Sequence, residues 1–439
     1  MAALIPQIRP DLKGCMIMER FYKTVSEITD YGPYVKKIIL SLSECVQADS
    51  LTGDTFNVYA ERRSKQTGEI IQIKKDWFSQ DLYLSKGYCR VLKLYVSDAA
   101  GNKNEVGKYI TLELACDPAF PVNAEVAFLG EHNEYVFCDF RITQVKEMQA
   151  ENQPVSGLVF DHFGGGCMEQ TAGWVNSSSS YAEMPMRFGC FTPCMGQGKR
   201  PLIVWLHGAG EGGCDTTVAY TGNKVVSLSS EKVQSFFGGA YVLAPQVPTM
   251  WMDDGSHVYG ESGKSMYTAA LKALIDEFIA LHSDIDTSCI YLGGCSNGGF
   301  MTMRMIIDYP GFFTAAFPVC EALFDATITD KNIEDIRNTP IWFTHAKNDE
   351  VVKPELTVLS TYGRLVKAGA QNVHFSFFDR ITDHSGDFKD ALGNPFEFFG
   401  HGSWIYMLRD ECKLDYDGLP VKIGGREVTL LEWLAAQSK

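Results

Sequence analysis

The spacing of apolar residues changes period part-way along the chain, and one kind of layer cannot satisfy both periods. From about residue 18 to residue 145 the side chains alternate. In "YITLELAC", Ile110, Leu112, Leu114 and Cys116 share one side, with Thr111 and Glu113 on the other. In "VFCDFRI", Val136, Cys138, Phe140 and Ile142 alternate with Phe137, Asp139 and Arg141. "KKIILSL", "TFNVYAE" and "CRVLKLYVSD" behave similarly, and "DSLTGD" and "DAAGNKN" supply turns between them. Successive Cβ atoms of a strand point to opposite faces, so period two marks strands with one buried face. Several short strands of this kind predict an antiparallel β-sandwich.

After about residue 183 the apolar runs become continuous: "PLIVWLHG", "AYVLAP", "CIYLGG", "PIWFTHA" and "VHFSFF". Strands apolar on both faces belong in a parallel sheet covered by helices. Helical periods lie between them. In residues 264–282, Tyr267, Leu271, Leu274, Ile275, Phe278 and Leu281 share one helical face, with Lys272, Asp276 and Glu277 opposite. Alternating strands and helices predict a doubly wound α/β sheet. The chain therefore divides into an all-β, immunoglobulin-like sandwich domain over residues 1–145 and an α/β domain over 146–439. Residues 146–183, with "FGGG" and "NSSSS", read as a linker or long loop. There is no internal repeat.

Composition narrows the function. The chain has 439 residues, 45% of them hydrophobic and 21% charged, enough for two separate cores. A net charge of −15 argues against nucleic-acid binding, which needs clustered Lys and Arg. No run of about 18 apolar residues is long enough for a membrane span. The start, "MAALIPQIRPDLKG", lacks a basic region followed by an apolar one, so a cytoplasmic location is expected. A removed leader would place the protein outside the cell. The 13 cysteines are scattered, without CxxC or a Cys/His cluster at zinc spacing. Cys190 and Cys194 have no second ligand pair. They read as mostly buried free thiols, with no metal and no cofactor expected.

The chemistry concentrates in "YLGGCSNGGF". Gly294-Cys295-Ser296-Asn297-Gly298 fits G-x-S-x-G, and its context carries more weight than the motif. "SCIYLGG" before it is a buried strand, and "NGGFMTMRMIIDYP" after it is a helix stopped at proline. Strand, tight turn and helix are what a nucleophile elbow requires. Cys295 is the rival nucleophile, but a cysteine-centred elbow would need glycine at position 297, where Asn stands. A serine needs a base, and the base needs an anion, in the chain order Ser, acid, His. "PIWFTHAKNDEVVKP" offers Asp349 after a buried strand, with Glu350 as the alternative. Among late histidines, His401 in "FFGHGSWIYMLRD" sits on a glycine corner before a helix, while His384 lies in the polar "TDHSGDF". The oxyanion needs two N–H donors. Asn297 supplies one, and the loop "HGAG" after "PLIVWL" supplies the other through Ala209, with Gly208 and Gly210 as neighbouring candidates.

"LIVWLHGAGEGG", "LAPQVPTMWMDDG", "YLGGCSNGGFMTM", "THAKNDEVV" and "GHGSWIYML" resemble the α/β-hydrolase serine esterases of the polyhydroxybutyrate-depolymerase-like and feruloyl-esterase-like group. Some members carry an N-terminal immunoglobulin-like domain, whose start "YGPYVKKIILSLSECVQADSLTGDTFNV" resembles. The resemblance implies an α/β-hydrolase fold and supports Ser296, Asp349 and His401 as the triad. It also implies Gln246 and Trp251 beside the substrate. The activity it implies is carboxylester hydrolysis of short-chain or aromatic acyl esters, including feruloyl or acetyl esters of plant-wall sugars. The expected partner is a small-molecule or oligosaccharide ester, with self-association left open. Two other readings stand beside it: a prolyl-oligopeptidase-like serine peptidase, which would carry a β-propeller, and a non-catalytic glycan-binding protein using exposed aromatics such as Trp77 and Tyr83. The insertion "SGDFKDALGNPFEFFG" before His401 leaves open a lid over residues 383–400.

Overall fold

The computed structural model describes residues 20–74, 81–151, 153–181, 183–194, 198–386, 388–390 and 392–439. The alternating strands pair into two packed sheets. One runs in the order Phe163–Cys167, Tyr22–Thr29, Gly32–Gln47, Val106–Leu114, Val91–Ser97. The other runs Val159–Phe160, His132–Gln144, Phe56–Ser64, Lys86–Cys89, with Val126–Leu129 completing a hairpin on His132–Gln144. The residues that share a phase in sequence share the core: Ile110, Leu112 and Leu114 from one sheet meet Cys138, Phe140 and Ile142 from the other. This is a sandwich of two sheets, not the repeated blades that the peptidase reading requires. Tyr83 is half-buried against a small satellite core, so it is no open glycan platform. Trp77 lies outside the described residues.

The carboxyl-terminal sheet has eight strands in the order Trp174–Ser178, Arg187–Phe191, Tyr241–Gln246, Arg200–Leu206, Ile285–Cys295, Ala315–Val319, Ile341–Ala346, Val373–Phe378. From Tyr241–Gln246 to Val373–Phe378 every neighbouring pair is parallel, and Arg187–Phe191 runs antiparallel to both its neighbours. The continuous apolar runs have a simple cause. In "LIVWL", Leu202, Val204 and Leu206 enter the core on one face, while Ile203 and Trp205 enter the core on the other. A strand covered on both sides has no polar phase to alternate with.

The linker expectation for 146–183 is corrected. Phe163–Cys167 pairs parallel with Tyr22–Thr29, Val159–Phe160 pairs with His132–Gln144, and Trp174–Ser178 forms the edge of the large sheet. The segment extends both domains rather than spacing them. Among the described cysteines, Cys167, Cys194 and Cys214 are exposed rather than buried. No described helix is long and apolar enough to cross a membrane.

Candidate active site

Strand Ile285–Cys295 runs directly into helix Asn297–Asp308, and Ser296 is the corner between them. Its backbone sits at φ 55 and ψ −116, a region L-residues rarely adopt. Such strain persists only where the surroundings enforce it. Here the helix is pressed against the neighbouring strand: a Cβ at Gly298 would lie 2.0 Å from the carbonyl oxygen of Leu206. Only glycine lets the helix start there. That contact also brings the loop after Leu206 beside the elbow.

The strain aims Ser296 outward at a base. His401 Nε2 lies 2.8 Å from Ser296 Oγ, and His401 Nδ1 lies 2.7 Å from Asp349 Oδ2. A carboxylate only accepts, so Nδ1 carries the proton and Nε2 is the bare nitrogen that faces the serine hydroxyl. The His401 loop reaches the acid because a Cβ at Gly400 would strike the Asn348 carbonyl oxygen at 2.3 Å. Asp349 Oδ1 accepts from the Val351 and Val352 N–H groups, both at 2.9 Å. Burial alone would raise this carboxyl. Hydrogen bonds from His345 and His401 outweigh it and hold Asp349 well below the usual carboxylate range.

His345 escaped the sequence reading. Its Nε2 lies 2.9 Å from the same Asp349 oxygen that holds His401, and 3.2 Å from the Val352 carbonyl oxygen. Two acceptors around Nε2 put the proton there. Its signal in sequence was only its position, four residues before the acid. The alternatives fall away by place. Glu350 is exposed. His384 is exposed and bonds to Glu411 while stacking on Tyr406. Cys295 is fully buried, and burial pushes its thiol well above the ordinary value, so it is a poor source of thiolate.

The oxyanion loop is fixed by a neutral histidine. Burial drives His207 down to about 4, so the ring is uncharged at neutral pH. Val247 N–H donates to its Nε2 at 3.2 Å, and its Nδ1 lies 2.6 Å from the Gly208 carbonyl oxygen. Glu211 N–H donates to that same carbonyl at 3.2 Å. The Gly208 carbonyl and the Ala209 N–H belong to one trans peptide and point in opposite directions. Anchoring the carbonyl therefore sets the direction of the Ala209 N–H. Asn297 is the first residue of its helix, where the N–H has no intrahelical acceptor. Ala209 and Asn297 thus present N–H donors on the loop and the helix that Gly298 holds together.

Gln246 and Trp251 are corrected. Trp251 is 0% exposed and packs its ring 5.1 Å from that of His207. Gln246 is 2% exposed, and its Nε2 donates to the Glu211 and Asp215 carbonyls, both at 2.9 Å. Neither side chain is on the surface. Both brace the oxyanion loop, Gln246 through the Glu211 carbonyl and Trp251 through the His207 ring.

Residues 21–157 match the family described as esterase Ig-like N-terminal domain, and residues 191–385 match the phospholipase/carboxylesterase family. The carboxyl-terminal half is thus similar to carboxylesterase/phospholipase-type α/β-hydrolases, and the sandwich before it to the esterase Ig-like domain. A solved thermostable esterase shares this fold along the hydrolase and its sandwich, at TM-score 0.70 and 21% identity over 95% of this chain and 100% of that one. A probable carboxylesterase SOBER1-like from Arabidopsis thaliana is 26% identical over 35% of this chain and 62% of its own length. Poly(3-hydroxyalkanoate) depolymerase C from Paucimonas lemoignei is 32% identical over 27% of this chain and 27% of its own length. The chain thus spans under two thirds of the length of each of these curated relatives.

Proposed function

We propose that the protein is a serine carboxylesterase acting through Ser296, His401 and Asp349 by way of an acyl-enzyme. The observation that carries this reading is the unbroken relay from Ser296 Oγ through His401 to the buried Asp349. In the first step His401 Nε2 takes the serine proton as Oγ attacks the ester carbonyl. The resulting oxyanion is stabilised by the Ala209 and Asn297 N–H groups. His401 then gives the proton to the departing alkoxide, and the alcohol leaves. Water enters, loses a proton to His401, and attacks the acyl carbonyl. The proton returns to Ser296 and the acid departs.

Short-chain or aromatic acyl esters are the substrate class, feruloyl or acetyl esters of wall sugars among them. Support comes from the rings beside the base: Phe399 and Trp404 lie with centroids 6.2 and 5.7 Å from His401, and Phe399 is 51% exposed. Flat apolar surfaces there suit a planar group. Ser296→Ala is expected to lower turnover of p-nitrophenyl acetate and butyrate by about 10⁴-fold or more. A variant with wild-type turnover overturns the reading. Methyl ferulate, acetylated xylan and p-nitrophenyl esters of rising length then rank the acyl groups.

A further inference from the structure

Glu211 ends the short turn Ala209–Glu211 on the oxyanion loop, and it is a carboxylate with 5% exposure. Its Oε2 accepts from Asn223 Nδ2 at 2.9 Å. Its Oε1 accepts from Asn133 Nδ2 at 2.8 Å. Asn133 is not part of the hydrolase domain. It is the second residue of strand His132–Gln144, in the sandwich. Gly208 lies against the same carboxylate: a Cβ there would come within 2.9 Å of Glu211 Oε2. An ionised carboxylate accepts on both oxygens and so satisfies both amide donors. Burial pushes the Glu211 carboxyl up to about 7, and the Asn133 and Asn223 amides act against that rise.

The contact does not stand alone. A Cβ at Gly210 would come within 2.8 Å of Asn133 Nδ2, and a Cβ at Gly213 within 2.8 Å of the His132 ring. Tyr135 O–H donates to Thr221 Oγ1 at 2.8 Å. Side chains at the start of one sandwich strand therefore lie along the loop and the helix that follows it. Gly208 therefore lies between His207, whose Nδ1 is 2.6 Å from its carbonyl oxygen, and the Glu211 carboxylate, and that carbonyl shares its peptide with the Ala209 N–H.

We propose that Asn133 is a positioning residue for ester hydrolysis: through Glu211 it fixes the oxyanion loop, so the sandwich completes the active site. This rests on the esterase reading above. The sandwich then acts on the chemical step and not on substrate capture. The oxyanion is absent from the bound ester and develops only during the chemical step, so a displaced Ala209 N–H lowers kcat and leaves KM nearly unchanged.

The test reverses the polarity of the hydrogen bond in the full chain. Asn133→Asp sets a half-buried carboxylate against the buried one of Glu211. Glu211→Gln turns an amide N–H towards another donor. Combined, the new amide at 211 donates to the new carboxylate at 133 while its oxygen still accepts from Asn223. With p-nitrophenyl acetate, each single change is expected to lower kcat about tenfold or more with KM within about threefold, since losing one oxyanion donor costs about 10²–10³-fold. The double variant is expected to return to within about threefold of wild type. Wild-type kcat in the singles, or a double variant no better than the product of the singles, overturns the proposal. If Asn133→Asp does not fold by circular dichroism, Asn133→Ala decides, with the same loss of kcat expected. Ser296→Ala in the same series separates the two claims. If it keeps wild-type turnover, the esterase reading falls. If it is inactive while the Asn133 variants stay at wild-type kcat, only the positioning role falls.

Discussion

His345 and His401 both bond to Oδ2 of Asp349, at 2.9 and 2.7 Å, so the acid is held from two sides. A hydrogen bond to a charged group contributes roughly 1.5–3 kcal/mol. If all of it is felt in the transition state, His345→Phe lowers kcat about 10- to 100-fold. Steady-state kinetics check this, and an unchanged kcat makes His345 a packing residue. Sequence hid it because "IWFTHA" is buried on both faces, and a polar ring inside such a run breaks no period. Ser296 was legible for the opposite reason: the glycines around it record close contacts that leave room for nothing larger. The burial of Gln246 and Trp251 was not legible, because adjacency to a loop in sequence does not tell its exposed side from its packed one. A second buried acid yields a pH prediction. Glu321 is 0% exposed, Leu323 N–H donates to its Oε2 at 2.8 Å, and among the described residues its Oε1 has no partner. Burial pushes its carboxyl up to about 8. The folded state therefore holds a proton that the unfolded chain releases near 4.3, and this contribution is lost as pH rises towards 8. The loss is roughly 4 kcal/mol at pH 8. Glu321→Gln is expected to match wild-type stability in urea near pH 5 and to exceed it at pH 8. A stability gap independent of pH would contradict this.

Between strand and helix, the elbow depends on one missing side chain. Gly298→Ala places a carbon against the backbone oxygens of Leu206 and His207, which cannot rotate away. Overpacking of this kind costs about 1–3 kcal/mol, and here it also moves the helix that carries Asn297. The expected outcome is a lower urea midpoint with a larger fractional loss of kcat. Gly363 is the control. It lies inside helix Val358–Lys367, exposed, with nothing within 4 Å of an added Cβ. Gly363→Ala is expected to stabilise by about 0.5–1 kcal/mol with activity unchanged. Strands and helices of both domains were legible because burial repeats at their own periods. The strands within 146–183 were not. "FGGG" pairs through its backbone with Tyr22–Thr29, and backbone pairing leaves no hydropathy pattern.

Across the whole molecule, the segment before His401 serves a role the sequence did not reveal. A lid was left open for residues 383–400, yet Phe388, Phe396 and Phe398 pack around Tyr31 of the sandwich, with ring centroids 5.3–5.9 Å apart. A charged cluster lies beside them. Arg409 Nε donates to Asp30 Oδ2 at 2.9 Å, and Nη2 donates to Asp383 Oδ1 at 2.8 Å. Lys224 adds a contact to Asp30 at 3.3 Å. Sequence could not show this because Asp30 and Arg409 are 379 residues apart. The Arg409 side chain is 12% exposed, and those of Asp30 and Asp383 are 5% and 0%. Removing one partner of a buried pair leaves uncompensated charge, at about 3–5 kcal/mol. Arg409→Ala is therefore expected to lower stability by that order and to split one calorimetric transition into two, as the domains lose their tie. The sign with pH follows from Asp383. Burial alone would raise its carboxyl, but bonds from Ser385, Arg409 and nearby backbone N–H groups hold it at about 2. Its stabilisation is present above the unfolded value near 3.9 and is lost as pH falls towards 2. The deficit of Arg409→Ala should accordingly narrow below pH 4, because a protonated Asp383 no longer needs the cation. A deficit that stays constant from pH 6 to pH 3 would mean the guanidinium acts by packing alone.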